Sequence, residues 1–422
     1  MLTKKAITIV IIMLALPILF GWRAAAQTVN KPAAESLSPK ERTEVFETVW
    51  KTINDQYYNA TFNGVDWPAV GKLYRPRVDA AKTDAEFYSL LKQMLRELHD
   101  LHTGFAAPNE QPVNKGLSVN EVEGKVVVVS VEPDSEAARA GVKAGMIVRT
   151  LNGKGPEERI AKLRAALGHS SSDQADRLAI YGSFLSGPVD AQFKLGLERA
   201  DGTQFEALLT RRAGARSSPM LVSSRLPSGF HYLKINMFRS PVDDSFKSEF
   251  ANFKDASGLI IDLRGIPGGD IHGVGLKIAD YFFPTKVPFG RFINRSGETP
   301  FFRTLSAAGG GQTYKGPVVI LIDEGTRSAG EVFASGFQEN GRATIIGTQS
   351  CGCVLDTDNK RVKGGGVLQY SHLGYLSGKA RKLEGAGIVP DKTITLTIAP
   401  LQQGRDAMLE EAERVLRSKE SH

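Results

Sequence analysis

The chain has 422 residues, 41% of them apolar, too many for one ordinary core and enough for two or three domains. Its net charge is +7, but Lys4, Lys5 and Arg23 supply three of those charges before residue 27, and the remaining excess is mild for a protein of this size. With no basic stripe and no interleaved aromatics, the sequence gives no support to a nucleic-acid partner.

Residues 1–26 have the pattern of an export signal. Two lysines are followed by the apolar run AITIVIIMLALPILFGW, and small residues ending at Ala26 offer a cleavage site. The alternative is an uncleaved signal that anchors the protein in a membrane. The expected location is periplasmic or secreted, with membrane contact only through such an anchor.

Residues 27–110 read as a helical domain. In DAEFYSLLKQMLRELHDLHTGF, Phe87, Leu90, Leu91, Met94, Leu95 and Leu98 recur at helical spacing, His102 continues that face, and Gly104 ends it. PNEQPVNKG reads as a linker.

Residues 111–213 read as a β-rich domain. Val126–Val131 is a β-branched strand, Asp134 and Ser135 can cap the short helix EAARAG, and MIVRTLNG is a strand ending in an Asn152-Gly153 turn. Polar GHSSSDQADRL and the strands in AQFKLGLERADGTQFEALLTRR extend the domain.

From HYLKINMF onward, over residues 214–400, apolar strands alternate with helices. GLIIDL, PVVILIDE and ATIIGT are strands, while IHGVGLKIADYFF and the segment after Ser328 are helices. This rhythm predicts an α/β core with a largely parallel sheet. Residues 401–422 form a terminal helix.

Three segments carry candidate chemistry. Ser328 follows a buried strand and opens a helix, which would expose its hydroxyl beside helix amides. TRSAG is close to a nucleophile elbow but lacks the first glycine of that motif, and a serine here also reads as a plain helix cap. In IIDLRGIPGGD, a glycine-rich loop after a strand can present free N–H groups to an oxyanion, with Gly268 and Gly269 as donors and the Ala329 amide as partner. In LEGAGIVPD, Glu384 is placed to orient an imidazole or to sit in a surface turn. Cys351 and Cys353, the only cysteines, lie one residue apart. They are open to three readings: a local bridge, a weak metal site, or small packing residues, the last being preferred.

Two resemblances follow from these segments. The order of elements in 111–213 resembles a PDZ domain of the permuted bacterial kind. This implies that Gly116, Leu117, Ser118 and Val119 present backbone amides to a peptide's C-terminal carboxylate. The helical segment, HYLKINMF, DLRGIPGG, TRSAGEVF, GRATIIGTQSCG and EGAGIVPD together resemble the serine peptidases that include the carboxyl-terminal processing proteases, the tricorn core and the retinoid-binding repeats of the eye.

That family resemblance implies an α/β core of the ClpP/crotonase type. Processing proteases use a serine with a lysine, but the lysine position here holds Cys353, and the glutamine position four residues on holds Thr357. The tricorn-like design instead takes a histidine from the segment before the PDZ domain and a glutamate near the C-terminus.

The implied triad is Ser328, His102 and Glu384, with His99 as the decoy. Gly268, Gly269 and Ala329 form the oxyanion hole, and Ile266 stands where the family often has asparagine. The expectation is an exported endopeptidase acting on protein or peptide substrates, without metal or other cofactor and with its oligomeric state open. The rival expectation is an inactive relative that binds a peptide or an apolar ligand.

Overall fold

The computed structural model describes residues 36–214 and 218–420, so the expected signal lies outside the described residues. Among the described residues no helix is long and apolar enough to cross a membrane.

Three helices open the described chain, Pro39–Gln56, Trp67–Ala80 and Asp84–Arg96. Each has a side-chain cap. Ser38 and Thr83 form reciprocal boxes with Glu41 and Glu86, and Asp66 accepts from Ala69 N–H. Val49, Ile53, Trp67, Phe87, Leu91, Met94 and Leu95 are fully buried in their common core.

The third helix stops eight residues before Gly104. His99 takes a left-handed φ of 52°, and the Asp100 carboxylate captures the His102 N–H and the Thr103 hydroxyl. A short acid that bonds neighbouring groups competes with the helix ladder. Gly104–Ala106 then forms a strand against residues 367–369, joining this segment to a second sheet that includes Val287–Ile293 and Val367–Leu376.

Residues 117–210 form a five-stranded antiparallel sheet in which Leu117–Val122 is an edge strand. Val113–Asn114 pairs with Arg212–Ala213, which brings the start and finish of this unit together. GHSSSDQADRL holds more structure than its polarity suggests, because Ser172 caps a helix over Asp173–Phe184. Ala175, Ile180, Tyr181 and Phe184 form the buried face of that helix.

The main sheet has six strands, in the order 392–393, 343–347, 318–322, 259–262, 231–235 and 221–225. All neighbours are parallel except 221–225, which is antiparallel to 231–235. The central strands Leu259–Asp262 and Val318–Ile322 are buried at every position, as a sheet covered on both faces requires. One face is covered by Ala407–Glu420 through Met408, Ala412, Val415 and Leu416.

The central helix is Ala329–Glu339, buried from Ala329 to Phe337. A side chain at Gly336 would meet the Phe289 ring at 2.2 Å, so only glycine lets this helix pack so closely. Residues 271–283, expected as one helix, are a wide turn, a single α turn and a 3₁₀ turn in succession, with Phe283 already extended. Gly273 and Gly275 weaken regular helix there.

Candidate active site

In open α/β sheets, loops at the carboxyl ends of parallel strands gather into one crevice. Here Leu259–Asp262 leads into the Gly265–Gly269 loop, Val318–Ile322 into the turn before Ser328, and Ala343–Gly347 into residues 350–354. Ser328, the glycine pair and the two cysteines therefore meet at one edge.

Ser328 has φ 54° and ψ −126°, a strained backbone for a non-glycine residue, and its side chain makes no capping bond. The helix-cap reading is thus corrected: the hydroxyl is not spent on the helix. A Cβ on Gly268 would stand 2.6 Å from Ser328 Cβ, 3.0 Å from its Oγ and 3.2 Å from Ala329 N. Gly268 and Gly269 have φ 110° and 126°, and their N–H groups donate no hydrogen bond among the described residues, nor does that of Ala329. Free amides beside a strained serine are donors placed for negative charge on oxygen.

Ile266 is fully buried, and its methyl lies 2.6 Å from where a Gly330 side chain would begin. Its carbonyl accepts the Arg327 N–H at 3.2 Å. It packs the glycine loop onto the central helix and leaves the amides free.

His102 is held through its backbone. Its N–H donates to Asp100 Oδ1 at 2.8 Å and its carbonyl accepts from Gln369 Nε2 at 2.8 Å. The Asp100 Oδ2 atom accepts from Thr103 and Ser371 hydroxyls, both at 2.6 Å, so the loop carrying the ring is rigidly anchored. The ring's Nδ1 is buried without a hydrogen-bond partner. Burial lowers the imidazole pKa below its ordinary 6.5; Asp100 and Asp356 pull it upward and Arg327, next to the serine, pushes it down.

Glu384 accepts the Val354 N–H at 2.8 Å, and burial, with Asp100 nearby, raises its pKa to about 8. No hydrogen bond links Ser328, His102 and Glu384 among the described residues. The serine lies beside the glycine loop, while the histidine and the glutamate are held on loops of their own by Asp100 and Gln369 and by Val354. His99 points elsewhere, with its Nδ1 2.7 Å from the His169 carbonyl.

Two acids were given no role by the sequence reading, although Asp100 opens the D-x-H-T pattern that pointed to His102. One is Asp100, the anchor just described. The other is Glu331, fully buried one turn after Ser328, which accepts from Ser350 Oγ (2.6 Å), Gly352 N (2.8 Å) and Cys353 N (2.9 Å). Burial raises it to about 7 despite those three donors. An acid among the small and apolar residues of the first two helical turns was the available signal for Glu331.

The preferred reading of the cysteines as unpaired packing residues is corrected. Cys351 and Cys353 form a disulfide, fully buried against Leu101, Ala175 and Leu178. Of the other predicted residues, Leu117 and Val119 line a cleft of about 230 Å³ with Ser118, Lys115, Leu178 and Tyr181. The Gly116 N–H is taken by Asn114 Oδ1 at 2.8 Å. His169, Asp173 and Asp176 could together reach a cation, but two of them are exposed and His169 is already paired with Asp176.

Residues 229–394 match peptidase family S41, and residues 38–96 match the tricorn protease C1 domain. The carboxyl-terminal-processing protease of Synechocystis sp. is 24% identical over 371 residues, covering 86% of this chain and 83% of that protein. The chloroplastic carboxyl-terminal-processing peptidase 3 of Arabidopsis thaliana is 26% identical over 404 residues, covering 88% of this chain and 72% of that one.

Among solved structures, the photosystem II D1 C-terminal processing protease superposes with a TM-score of 0.57 at 21% identity, over 89% of this chain and 97% of that one. Mature CPAF superposes with a TM-score of 0.71 at 13% identity, over 90% and 96%. Both likenesses concern the fold.

Proposed function

We propose that this chain, whose residues 229–394 match peptidase family S41, is an exported serine endopeptidase working through Ser328, His102 and Glu384. The observation that carries the reading is Ser328 itself. It is strained, unspent as a cap, and lies beside Gly268 and the Ala329 amide. A serine hydroxyl needs an adjacent base to become a nucleophile. Residue 353 is not lysine, and Cys353 is bonded to Cys351, so neither a lysine nor a free thiol is available there.

In the proposed reaction Ser328 Oγ attacks the peptide carbonyl and His102 accepts its proton. The oxyanion rests on the Gly268 and Ala329 amides, with Gly269 beside them. His102 then gives the proton to the leaving amine, and water repeats the cycle on the acyl-enzyme. Burial keeps Glu384 protonated below about pH 8 in the resting site; on closing against the ring it gives up that proton, and its carboxylate balances the imidazolium. The unpartnered Nδ1 of His102 supports this role, because a buried ring nitrogen without a partner is costly and an acid closing on it removes the cost.

Residues 111–213 act in this reading as a PDZ-like unit. A substrate tail adds a strand along the edge Leu117–Val122, with its side chains in the cleft beside Leu178 and Tyr181 and its carboxylate on the Leu117–Val119 amides. The units 27–110, 214–400 and 401–422 are proposed as the helical domain, the core and the terminal helix. Export rests on residues 1–26.

The test is labelling with a serine-directed fluorophosphonate. The intact protein should label and Ser328→Ala should not. If neither labels, the protein is a binding module for a peptide or apolar ligand and not a working peptidase.

A further inference from the structure

We infer that the Cys351–Cys353 disulfide is the positioning clamp of the catalytic loop, and that peptidase activity is conditional on its oxidation. The inference rests on the assignment of Ser328 as nucleophile. It goes beyond that assignment in naming the groups that hold the serine in place.

The bridge closes a loop in which every backbone group but the Cys351 carbonyl is engaged with the site. The Cys353 carbonyl accepts the Ser328 N–H at 2.7 Å, the one hydrogen bond on the serine's own amide. The Gly352 and Cys353 N–H groups, at 2.8 and 2.9 Å, anchor the loop to Glu331 on the central helix. Val354 N–H holds Glu384 at 2.8 Å, and the Gly352 carbonyl accepts the Gly385 N–H at 2.9 Å. Cys351 N–H donates to the Thr326 carbonyl at 3.1 Å, two residues before Ser328. The sulfurs pack on Leu101, the neighbour of His102. Four residues thus touch the nucleophile's turn, the acid's turn and the loop that bears the base.

Gly352 explains why a bridge is placed there. It takes φ 69°, and a side chain on it would meet Gly387 N at 3.0 Å and Ala386 N at 3.1 Å. A left-handed glycine between two cysteines lets both sulfurs turn to the same side. Without the bridge, that glycine has the widest choice of backbone conformations in a loop that must stay fixed. A bridge closing so short a loop removes little entropy from the unfolded chain, so its contribution to global stability is small. Its effect falls on local geometry, and small displacements near a reacting centre are costly in rate.

The clamp is also guarded. Ala175 and Leu178 of the helix Asp173–Phe184 cover the sulfurs, and the Ser172 hydroxyl donates to the Cys351 carbonyl. A reductant reaches the bridge only when that helix lifts. The chemistry is a two-electron exchange with a dithiol. The S–S bond breaks, two S–H bonds form on Cys351 and Cys353 from the reductant's two protons, and the reductant leaves as its own disulfide.

The experiment incubates the full chain in graded dithiothreitol and follows released thiols, fluorophosphonate labelling rate, kcat, KM and Tm on the same samples. Two thiols should appear together with a fall of about tenfold or more in kcat and labelling rate, while KM and Tm change little. Reoxidation should restore the rate. The double variant Cys351→Ala with Cys353→Ala should be slower than the oxidised protein and indifferent to dithiothreitol.

A fully reduced protein that labels at the oxidised rate overturns the inference. So does loss of the folded state on reduction, which would make the bridge a stabiliser of the fold, and so does a bridge that stays intact in excess dithiol. If Ser328→Ala labels like the intact protein, the nucleophile assignment fails instead, whatever the redox behaviour.

Discussion

Glu331 accepts the Cys353 N–H at 2.9 Å while the Cys353 carbonyl accepts the Ser328 N–H at 2.7 Å, so one peptide segment joins a buried acid to the serine three residues before it. The central helix holds its own first turn in place by reaching through a neighbouring loop. Glu331→Gln keeps the shape but turns one acceptor oxygen into a donor among three donors. A lost hydrogen bond to a charged group is worth about 1.5–3 kcal/mol. We expect kcat to fall about tenfold or more, with KM changed less. Steady-state kinetics on the folded variant check this, and an unchanged kcat would remove Glu331 from the positioning chain.

Gly268→Ala should be among the most damaging small changes in the molecule. The added methyl would lie 2.6 Å from Ser328 Cβ, at a φ of 110° that side chains rarely adopt. The backbone strain alone is about 1–3 kcal/mol. Either the loop shifts and the oxyanion donor moves, or the serine does. We expect kcat to fall at least about 10²-fold, since one such donor is worth that much, and Tm to drop by several degrees.

Stability should fall as pH rises from about 6.5 to 8, above the range in which the depressed His102, His231 and His272 act the other way. Asp323, Glu331 and Glu384 are raised by burial to about 6, 7 and 8. Between its unfolded and folded pKa values, each is protonated in the folded chain and ionised in the unfolded one. The folded state then holds more protons, and raising the pH favours unfolding until the folded pKa is passed. The slope from each group is on the order of 1 kcal/mol per pH unit inside its window. Urea melts at pH 6.5 and 8 check the sign. Glu384→Gln should flatten the upper part of the window, and a protein equally stable at both values would contradict these burial effects.

The sequence made the core strands and the serine's surroundings legible because they follow local rules. Buried parallel strands are continuous apolar runs, and glycines mark the close approaches around Ser328. The helix Asp173–Phe184 was hidden because its buried face is made of Ala175, Ile180, Tyr181 and Phe184 within a polar stretch. The early end of the third helix was hidden because Asp100 acts through Ser371, 271 residues away. The disulfide was undecided because spacing alone does not say which way two side chains turn around Gly352. Glu331 was passed over because its partners lie 19 to 22 residues on, and nothing in the spelling of that loop says that its N–H groups need a buried acid.

The acid limb of the activity profile should lie lower than an exposed imidazole would place it. Burial outweighs the pull of Asp100 and Asp356 on His102, so its ordinary value of 6.5 is an upper bound in this arrangement. The ring stays neutral, and able to accept a proton, to lower pH. The midpoint of the rising limb of kcat/KM is therefore expected below 6.5, and Asp356→Asn should lower it further by removing a charge that favours the protonated ring. A limb centred above 8 would point to another base.

The central claim is that the proton of Ser328 goes to His102. The most direct measurement is kcat/KM for one peptide substrate with Ser328→Ala, His102→Ala, the double variant and His99→Ala, each checked for folding by its Tm. Removing the base from a working triad costs on the order of 10⁴-fold, and groups that act as one unit do not add. The account predicts that His102→Ala is as inactive as Ser328→Ala, that the double variant is no worse, and that His99→Ala stays close to the intact protein. A folded His102→Ala that still cleaves near the intact rate would contradict it.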